Sequence, residues 1–131
     1  MEIKSLHHVA IIASDYERSK EFYTQVLGMQ IMQEIYRADR QSYKLDLAIN
    51  CQYLIELFSF PAPPARPSRP EATGLRHIAF AVDDIVKSVA YLSSKNIESE
   101  PIRIDEFTGK KFTFFSDPDN LPIEIYEPLT G

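Results

Sequence analysis

The sequence predicts an α+β fold made of two tandem β-α-β-β-β modules. An apolar segment that opens on a histidine occurs twice, as His8–Asp15 and as His77–Asp84, and each copy ends on an aspartate placed to begin a helix. The two histidines are 69 positions apart, and so are the two aspartates. A proline-rich stretch separates the copies. Self-similarity at a constant offset indicates a duplicated structural unit.

Composition narrows the possible classes of protein. The chain has 131 residues, enough for one compact domain. Its net charge of −5 argues against a nucleic-acid partner, which favours a basic face. No apolar run reaches the roughly 20 residues needed to cross a bilayer, and no signal-peptide pattern is present, so we expect no membrane partner. The single cysteine, Cys51, is typical of a reducing compartment, and we expect a cytoplasmic protein.

The first module begins with a strand and a helix. Residues 6–13 are nearly all apolar, which predicts a strand covered on both faces. Ser14 and Asp15 are both suitable helix caps. Apolar side chains at i, i+3 and i+4 spacing continue the helix to about Leu27, and Gly28 is typical of the position that follows a helix.

Three further strands complete this module, which we place at about residues 4–60. Polar and apolar residues alternate in the middle one, as in a half-buried strand. A short turn, Asn50–Gln52, predicts that the last two form a hairpin. The predicted strands are 29–36, 43–49 and 53–60.

A linker of about residues 61–73 follows. Five of the nine prolines lie between Phe60 and Pro70. Proline disrupts helices and sheet interiors, so we predict an extended connector or lid.

The second module, at about residues 74–128, repeats the first. A strand at 77–82 leads to a helix capped by Asp83 or Asp84, and Asn96 is a candidate left-handed residue after this helix. Three more strands are predicted, and Pro101 would bend the first of them. Their ranges are 97–104, 111–115 and 121–127.

Four residues at equivalent positions of the modules could carry chemistry: His8, His77, Glu56 and Glu124. The glutamates lie inside apolar strands, where a carboxylate is costly unless it is paired or bound to a metal. A single strand histidine is usually a hydrogen-bonded core residue, but the repeated set favours a metal site. Two imidazoles and two carboxylates suit Ni²⁺, Zn²⁺, Co²⁺, Fe²⁺ or Mn²⁺ and leave positions open for a substrate.

The order of these elements resembles the vicinal oxygen chelate superfamily, and within it the glyoxalase I type. The closest resemblance is to short bacterial glyoxalase-like proteins of unassigned substrate. The segments that carry it are Leu6–Ile11, Asp15–Gly28, Ile55–Leu57, Gly74–Phe80 and Asp117–Ile125. The resemblance implies a cupped mixed sheet around a metal cleft, with His8, Glu56, His77 and Glu124 as the metal ligands. It selects His8 over His7, which strand alternation would turn to the other face in a structural or supporting role.

The resemblance also implies an activity. A glyoxalase I-like lyase or isomerase would act on a small 2-oxoaldehyde-derived or other vicinal-oxygen substrate, by proton transfer through a metal-stabilised enediolate. Glu124 would be the catalytic base, with Glu56 as its counterpart. Such proteins form homodimers, in which one site can combine modules from different subunits.

Two positions depart from glutathione-dependent glyoxalase I. Those enzymes hold glutathione with an arginine four residues after the first metal histidine and an asparagine four residues after the first metal glutamate. Ile12 and Phe60 stand at these positions. The thiol, glutathione or another, therefore remains open. Basic side chains that could instead hold a carboxylate or phosphate are Arg37, Arg40, Arg66, Arg69, Arg103, Lys110 and Lys111.

Alternative functions fit the same scaffold. They include an Fe²⁺ extradiol dioxygenase, an epimerase and a thiol transferase. A non-catalytic protein that binds a drug or metabolite is a different class, and a dimer with a buried polar network and no ligand is another. The complete set of two histidines and two glutamates favours an enzyme over the binding protein, and metal analysis of the purified protein would distinguish the ligand-free dimer.

Overall fold

The computed structural model describes residues 1–128, and the chain divides into two compact units, Met1–Ala65 and Arg66–Gly131. Residues 129–131 of the predicted single domain, 1–131, lie outside the described residues. The first unit contains β1 (Val9–Ala13), α1 (Tyr16–Glu21), a π-helical turn (Phe22–Val26), β2 (Gln30–Arg37), a 3-10 turn (Ala38–Arg40), β3 (Ser42–Ile49) and β4 (Gln52–Ser59). The second contains β5 (Ile78–Ala81), α2 (Ile85–Ser94), β6 (Arg103–Ile104), β7 (Lys111–Ser116) and β8 (Pro122–Tyr126).

The two units have the same sheet topology. The strand orders are β1-β4-β3-β2 and β5-β8-β7-β6. In each open sheet the first strand runs parallel to the last, and the other neighbours are antiparallel. The predicted α+β class with duplicated β-α-β-β-β order is therefore confirmed.

The core of the first unit lies on one face of its sheet. Ile11 and Ala13 of β1 are buried, whereas Ala10 and Ile12 point the other way and are exposed. The prediction that this strand is covered on both faces is wrong, because an apolar composition does not reveal which face packs. Other buried sheet residues are Leu45, Leu47, Ile55 and Leu57.

Short-range signals define the helix ends. Asp15 is the N-cap of α1 and accepts a hydrogen bond from the Arg18 amide at 3.2 Å. The helix widens into the π-helical turn before Gly28, whose φ of +77° fits its predicted role after the helix. Asp84, and not Asp83, caps α2, and Asn96 has the expected left-handed φ of +61°.

The predicted strand at 97–104 is reduced to the two residues of β6. Pro101 has no amide hydrogen to contribute to a ladder, and pairing resumes only at Arg103, opposite Phe112. Among residues 1–128, no helix has both the length and the apolar character needed to cross a membrane.

Candidate functional site

The first predicted pair, His8 and Glu56, comes together in the first unit. Ala10 pairs with Glu56 across the parallel β1–β4 ladder, and His8 lies two residues before Ala10. Alternation along β4 turns Glu56 to the face opposite the core residues Ile55 and Leu57, and the His8 side chain reaches this carboxylate from the residue just before β1. His8 Nε2 lies 3.1 Å from Glu56 Oε2, and the Glu56 side chain is only 11% exposed.

A tyrosine holds the Glu56 carboxylate. The Tyr53 hydroxyl donates a short hydrogen bond to Glu56 Oε2 and contacts Asp46 Oδ1 at 3.5 Å. Burial, together with the hydrogen bond to Glu56, raises the pKa of the Tyr53 phenol well above its ordinary value. Tyr53 therefore remains a protonated donor at neutral pH.

Two charged residues of β3 extend this polar face. Lys44 Nζ lies 2.7 Å from Asp46 Oδ1 and 3.9 Å from Glu56 Oε2. Asp46 pairs with Glu56 across the antiparallel β3–β4 ladder. The Glu56 carboxylate is thus flanked by an imidazole, a phenol and an ammonium group.

His7 lies beside His8, contrary to the prediction that it faces the other way. Both residues precede β1, so strand alternation does not apply to them. The two Nδ1 atoms are 2.8 Å apart, which requires one ring to donate and the other to accept. When His8 donates, its Nε2 carries the lone pair that a metal ion requires.

The second predicted pair, His77 and Glu124, comes together in the second unit. Ala79 pairs with Glu124 across the parallel β5–β8 ladder, and His77 again lies two residues before the paired alanine. His77 Nε2 is 3.7 Å from Glu124 Oε1. The pair repeats the arrangement of His8 and Glu56.

The surroundings of this second pair differ from those of the first. The His77 ring packs edge-on against Phe114, with ring centroids 5.1 Å apart. Arg76 Nη1 lies 3.0 Å from His77 Nδ1. A guanidinium can only donate, so a neutral His77 in this contact carries its proton on Nε2. Metal binding through Nε2 therefore requires Arg76 to move away from Nδ1.

The donor atoms of each pair fit a divalent metal ion. Imidazole and carboxylate ligands bind such ions at about 2.0–2.2 Å, so two adjacent ligands lie roughly 3 Å apart. The His8–Glu56 separation of 3.1 Å matches this value, and the His77–Glu124 separation of 3.7 Å needs only a small side-chain movement to reach it. Among residues 1–128, neither unit contains a cluster of three or more His, Cys, Asp or Glu side chains that could bind a metal ion. Each unit thus supplies two of the four predicted ligands.

Several residues of these sites were not predicted. Tyr53 is three positions before Glu56, and regular alternation would place it on the opposite face. The β3–β4 register shifts between Leu47 and Ala48, and this irregularity brings Tyr53 to Glu56. The alternation of Lys44 and Asp46 was visible in the sequence but is equally typical of a solvated face. For Arg76, the only signal in the sequence was its position next to His77.

Comparisons with known proteins agree on a family. The family model described as the Glyoxalase/Bleomycin resistance protein/Dioxygenase superfamily matches residues 5–125. The uncharacterized protein YwkD of Bacillus subtilis is 62% identical and covers 97% of this chain and 99% of its own length. The uncharacterized protein YaeR of Escherichia coli is 61% identical, covering 95% and 97%. The crystal structure of a glyoxalase family protein from Enterococcus faecalis has a TM-score of 0.89 and 50% identity, covering 97% of this chain and all of that one.

More distant relatives include enzymes. A 2-epi-5-epi-valiolone epimerase from Actinomyces is 25% identical, over 97% of this chain and 81% of the enzyme. A lactoylglutathione lyase from Schizosaccharomyces pombe is 27% identical, over 95% of this chain and 48% of the enzyme.

Proposed function

The chain belongs to the Glyoxalase/Bleomycin resistance protein/Dioxygenase superfamily, and on that premise we propose that it is a metal-dependent lyase or isomerase of the glyoxalase I type. The proposed substrate is a small adduct of a 2-oxoaldehyde or another compound with vicinal oxygens. The observation that supports this most is the equivalence of the two pairs, His8 with Glu56 and His77 with Glu124. Two imidazole–carboxylate pairs in matching register are difficult to explain as independent packing events.

We assign these four residues as the ligands of one divalent ion: Ni²⁺, Zn²⁺, Co²⁺, Fe²⁺ or Mn²⁺. The assignment holds whether the two pairs come from one chain or from two chains of a homodimer. When bound, the ion supplies Lewis-acid polarisation of the substrate's carbonyl oxygen. His8 and His77 would hold the ion through Nε2.

The glutamates move the proton. Glu124 would take the proton from the carbon that bears the hydroxyl, next to the carbonyl, and return it to the carbonyl carbon. The hydroxyl proton moves to the former carbonyl oxygen, so the product is the isomeric 2-hydroxyacyl thioester. Glu56 is the counterpart carboxylate in the other module, and Tyr53 orients it by hydrogen bonding. The Glu56 and Glu124 side chains are only 11% and 16% exposed, which limits the access of bulk water to the carboxylates.

The identity of the thiol remains part of the proposal. Ile12 lies exposed on the same sheet face as Ala10 and offers no hydrogen bond to a glutathione carboxylate. We therefore include glutathione as one of several thiols that could form the substrate adduct, with no nucleic-acid or membrane partner.

We further propose a cytoplasmic homodimer. The edge strand β2 exposes Ile31, Met32, Ile35 and Tyr36, which provide apolar surface for a second subunit. A single cysteine suits a reducing compartment. Light scattering of the purified protein measures the oligomeric state.

Turnover of metal-loaded protein tests the enzymatic proposal. Metal-free protein would be loaded separately with each of the five ions and offered methylglyoxal hemithioacetals of glutathione and other thiols. We expect at least one combination to give a 2-hydroxyacyl thioester. Loss of the base in Glu124→Gln should lower kcat by about 10²-fold or more.

Matched variants make this result interpretable. Glu98→Gln changes an exposed glutamate outside both pairs and should leave kcat unchanged. Full turnover by both Glu56→Gln and Glu124→Gln, with metal retained, would rule out the proposed roles of the glutamates.

Epimerisation is the second candidate function. It is favoured by the likeness to the 2-epi-5-epi-valiolone epimerase over nearly the whole chain. It uses the same removal and return of a carbon-bound proton, but the proton returns to the same carbon. Deuterium incorporation from D₂O into cyclic hydroxyketones, without thioester formation, would favour this alternative.

A further inference from the structure

A cleft in the second unit is lined by four arginines. Its volume is about 130 Å³. Two glutamates also line it, so the lining residues carry a net positive formal charge, whereas the whole chain carries −5. Guanidinium groups remain charged at all relevant pH values and bind carboxylates and phosphates through paired N–H donors. The charged residues are Arg66, Arg69, Arg76, Arg103, Glu71 and Glu100.

The cleft adjoins the His77–Glu124 pair. Phe114 lines the cleft and packs against His77, and Arg76 both lines the cleft and contacts His77 Nδ1. Pro122, another lining residue, lies two positions before Glu124 on β8 and therefore on the same face of the sheet. A ligand could therefore occupy the cleft with one end and reach the histidine with the other.

The end of the proline-rich stretch forms one wall of the cleft. Arg66 Nη2 donates to the carbonyls of Leu75 and Arg76 at 2.7 and 3.0 Å, and its Nε donates to Ser68 Oγ. Ser68 Oγ in turn donates to the Asn120 carbonyl at 2.8 Å. These bonds hold this segment against the residues just before His77 and against the turn before β8, so the predicted connector also has a structural role.

The remaining arginines retain donors for a ligand. Arg69 is exposed and has no hydrogen-bond or ion-pair partner within residues 1–128. Arg103 and Arg76 each contact one carboxylate, Glu100 at 2.9 Å and Glu71 at 2.5 Å. Both pairs are about half exposed and each uses one guanidinium nitrogen, so an incoming anion can compete for the arginines at little cost.

We propose that this cleft binds the anionic group, carboxylate or phosphate, of the substrate, with Arg69 and Arg103 as its main contacts. The proposal rests on the proposed function, because it places the reacting end of the substrate at the His77–Glu124 pair. It narrows the substrate class to vicinal-oxygen compounds that carry a negative charge. An anion in the cleft also gives Arg76 an alternative to its contact with His77.

Anion titration of metal-free protein tests the proposal. Inorganic phosphate and acetate, at constant ionic strength, would be titrated into protein freed of metal by chelator, and binding followed by NMR shifts and calorimetry. We expect saturable binding of at least one anion, and the tighter one identifies the class of group. Since a hydrogen bond to a charged group contributes about 1.5–3 kcal/mol, Arg69→Gln and Arg103→Gln should each weaken binding about tenfold or more.

The matched control is Arg40→Gln, which removes an exposed arginine that does not line the cleft. It should bind the anion as the wild type does. Equal weakening in Arg40→Gln, or no saturable binding of either anion by the wild type, would overturn the proposal. The titration requires neither metal nor turnover, so its result can contradict anion binding in the cleft without contradicting the proposed enzymatic function.

Discussion

At the residue scale, each proposed metal ligand depends on a neighbour of different chemistry. Glu56 accepts a hydrogen bond from Tyr53, and His8 contacts His7 through Nδ1. His77 instead contacts the guanidinium of Arg76. Such outer contacts orient ligands and tune their basicity, so the two halves should contribute unequally to metal affinity.

Removing the Tyr53 hydroxyl should weaken metal binding. In Tyr53→Phe, Glu56 loses its donor, and the loss of an outer-shell partner typically lowers metal affinity 10- to 100-fold. Competition with a chromophoric chelator measures this affinity. Tyr91→Phe, at an exposed tyrosine of α2, is the matched control. An affinity unchanged in Tyr53→Phe would contradict the role of this hydroxyl.

A second tyrosine should control stability at alkaline pH. Burial, and then its hydrogen bond to Glu34, raises the pKa of Tyr16 above its ordinary value. The folded state therefore keeps a proton that the unfolded chain loses near pH 10, and stability should fall as pH rises above that value.

Tyr16→Phe tests this pH dependence. The variant should be destabilised by about 1 kcal/mol at pH 8, because the hydrogen bond to Glu34 is lost. Its stability should then fall less steeply than that of the wild type between pH 9 and 11. Urea unfolding across this range measures both effects. Parallel profiles for the two proteins would show that Tyr16 does not contribute.

At the element scale, helix caps and a strand irregularity position the site. Asp15 and Asp84 cap the two helices at equivalent positions, two and three residues after the first strand of each unit. The register shift at Leu47 and Ala48 brings Tyr53 to the polar face. The caps are local features that a sequence pattern can indicate, whereas the register shift depends on how β3 pairs with β4.

The two aspartates before α2 provide an internal comparison. Asp84 accepts a hydrogen bond from the Lys87 amide at 3.0 Å, whereas Asp83 is exposed and outside the cap. Asp84→Ala should lower the free energy of unfolding by about 1 kcal/mol, and Asp83→Ala should leave it nearly unchanged. Urea denaturation followed by circular dichroism measures the difference. Equal losses would show that capping is not the cause.

At the scale of the whole molecule, duplication provides two similar half-sites with different surroundings. In the first unit, the β3 residues Lys44 and Asp46 lie beside Glu56. At the equivalent positions of the second unit, the β7 residues Phe112 and Phe114 lie beside Glu124. The β3 neighbours of Glu56 are therefore charged, whereas the β7 neighbours of Glu124 are aromatic.

Metal stoichiometry tests whether the halves act together. If all four ligands bind one ion, the wild type should contain one ion per chain, and His8→Ala and His77→Ala should each lose nearly all of it. Elemental analysis after loading with Ni²⁺ measures the content. The same count applies whether the site lies within a chain or between chains. Two ions per wild-type chain, with one retained in each variant, would show that the pairs bind separately.

Much of the fold and both pairs could be predicted from the sequence. Hydrophobic periodicity, cap residues and a constant offset are local or internal patterns, and they located His8, Glu56, His77 and Glu124 at matching positions of the two units. Errors appeared where local pattern is ambiguous. Residues 97–104 are mostly irregular, and His7 lies beside His8 because the strand begins only at Val9.

By itself the sequence determined the α+β class, the duplication and the four candidate ligands, since these follow from residue type and spacing. Only the tertiary structure decided which side chains surround them. Tyr53 reaches Glu56 through a shift in strand register, and the arginines of the cleft come from segments far apart in the chain. Such contacts depend on strand pairing and chain path, which no local pattern of residues records.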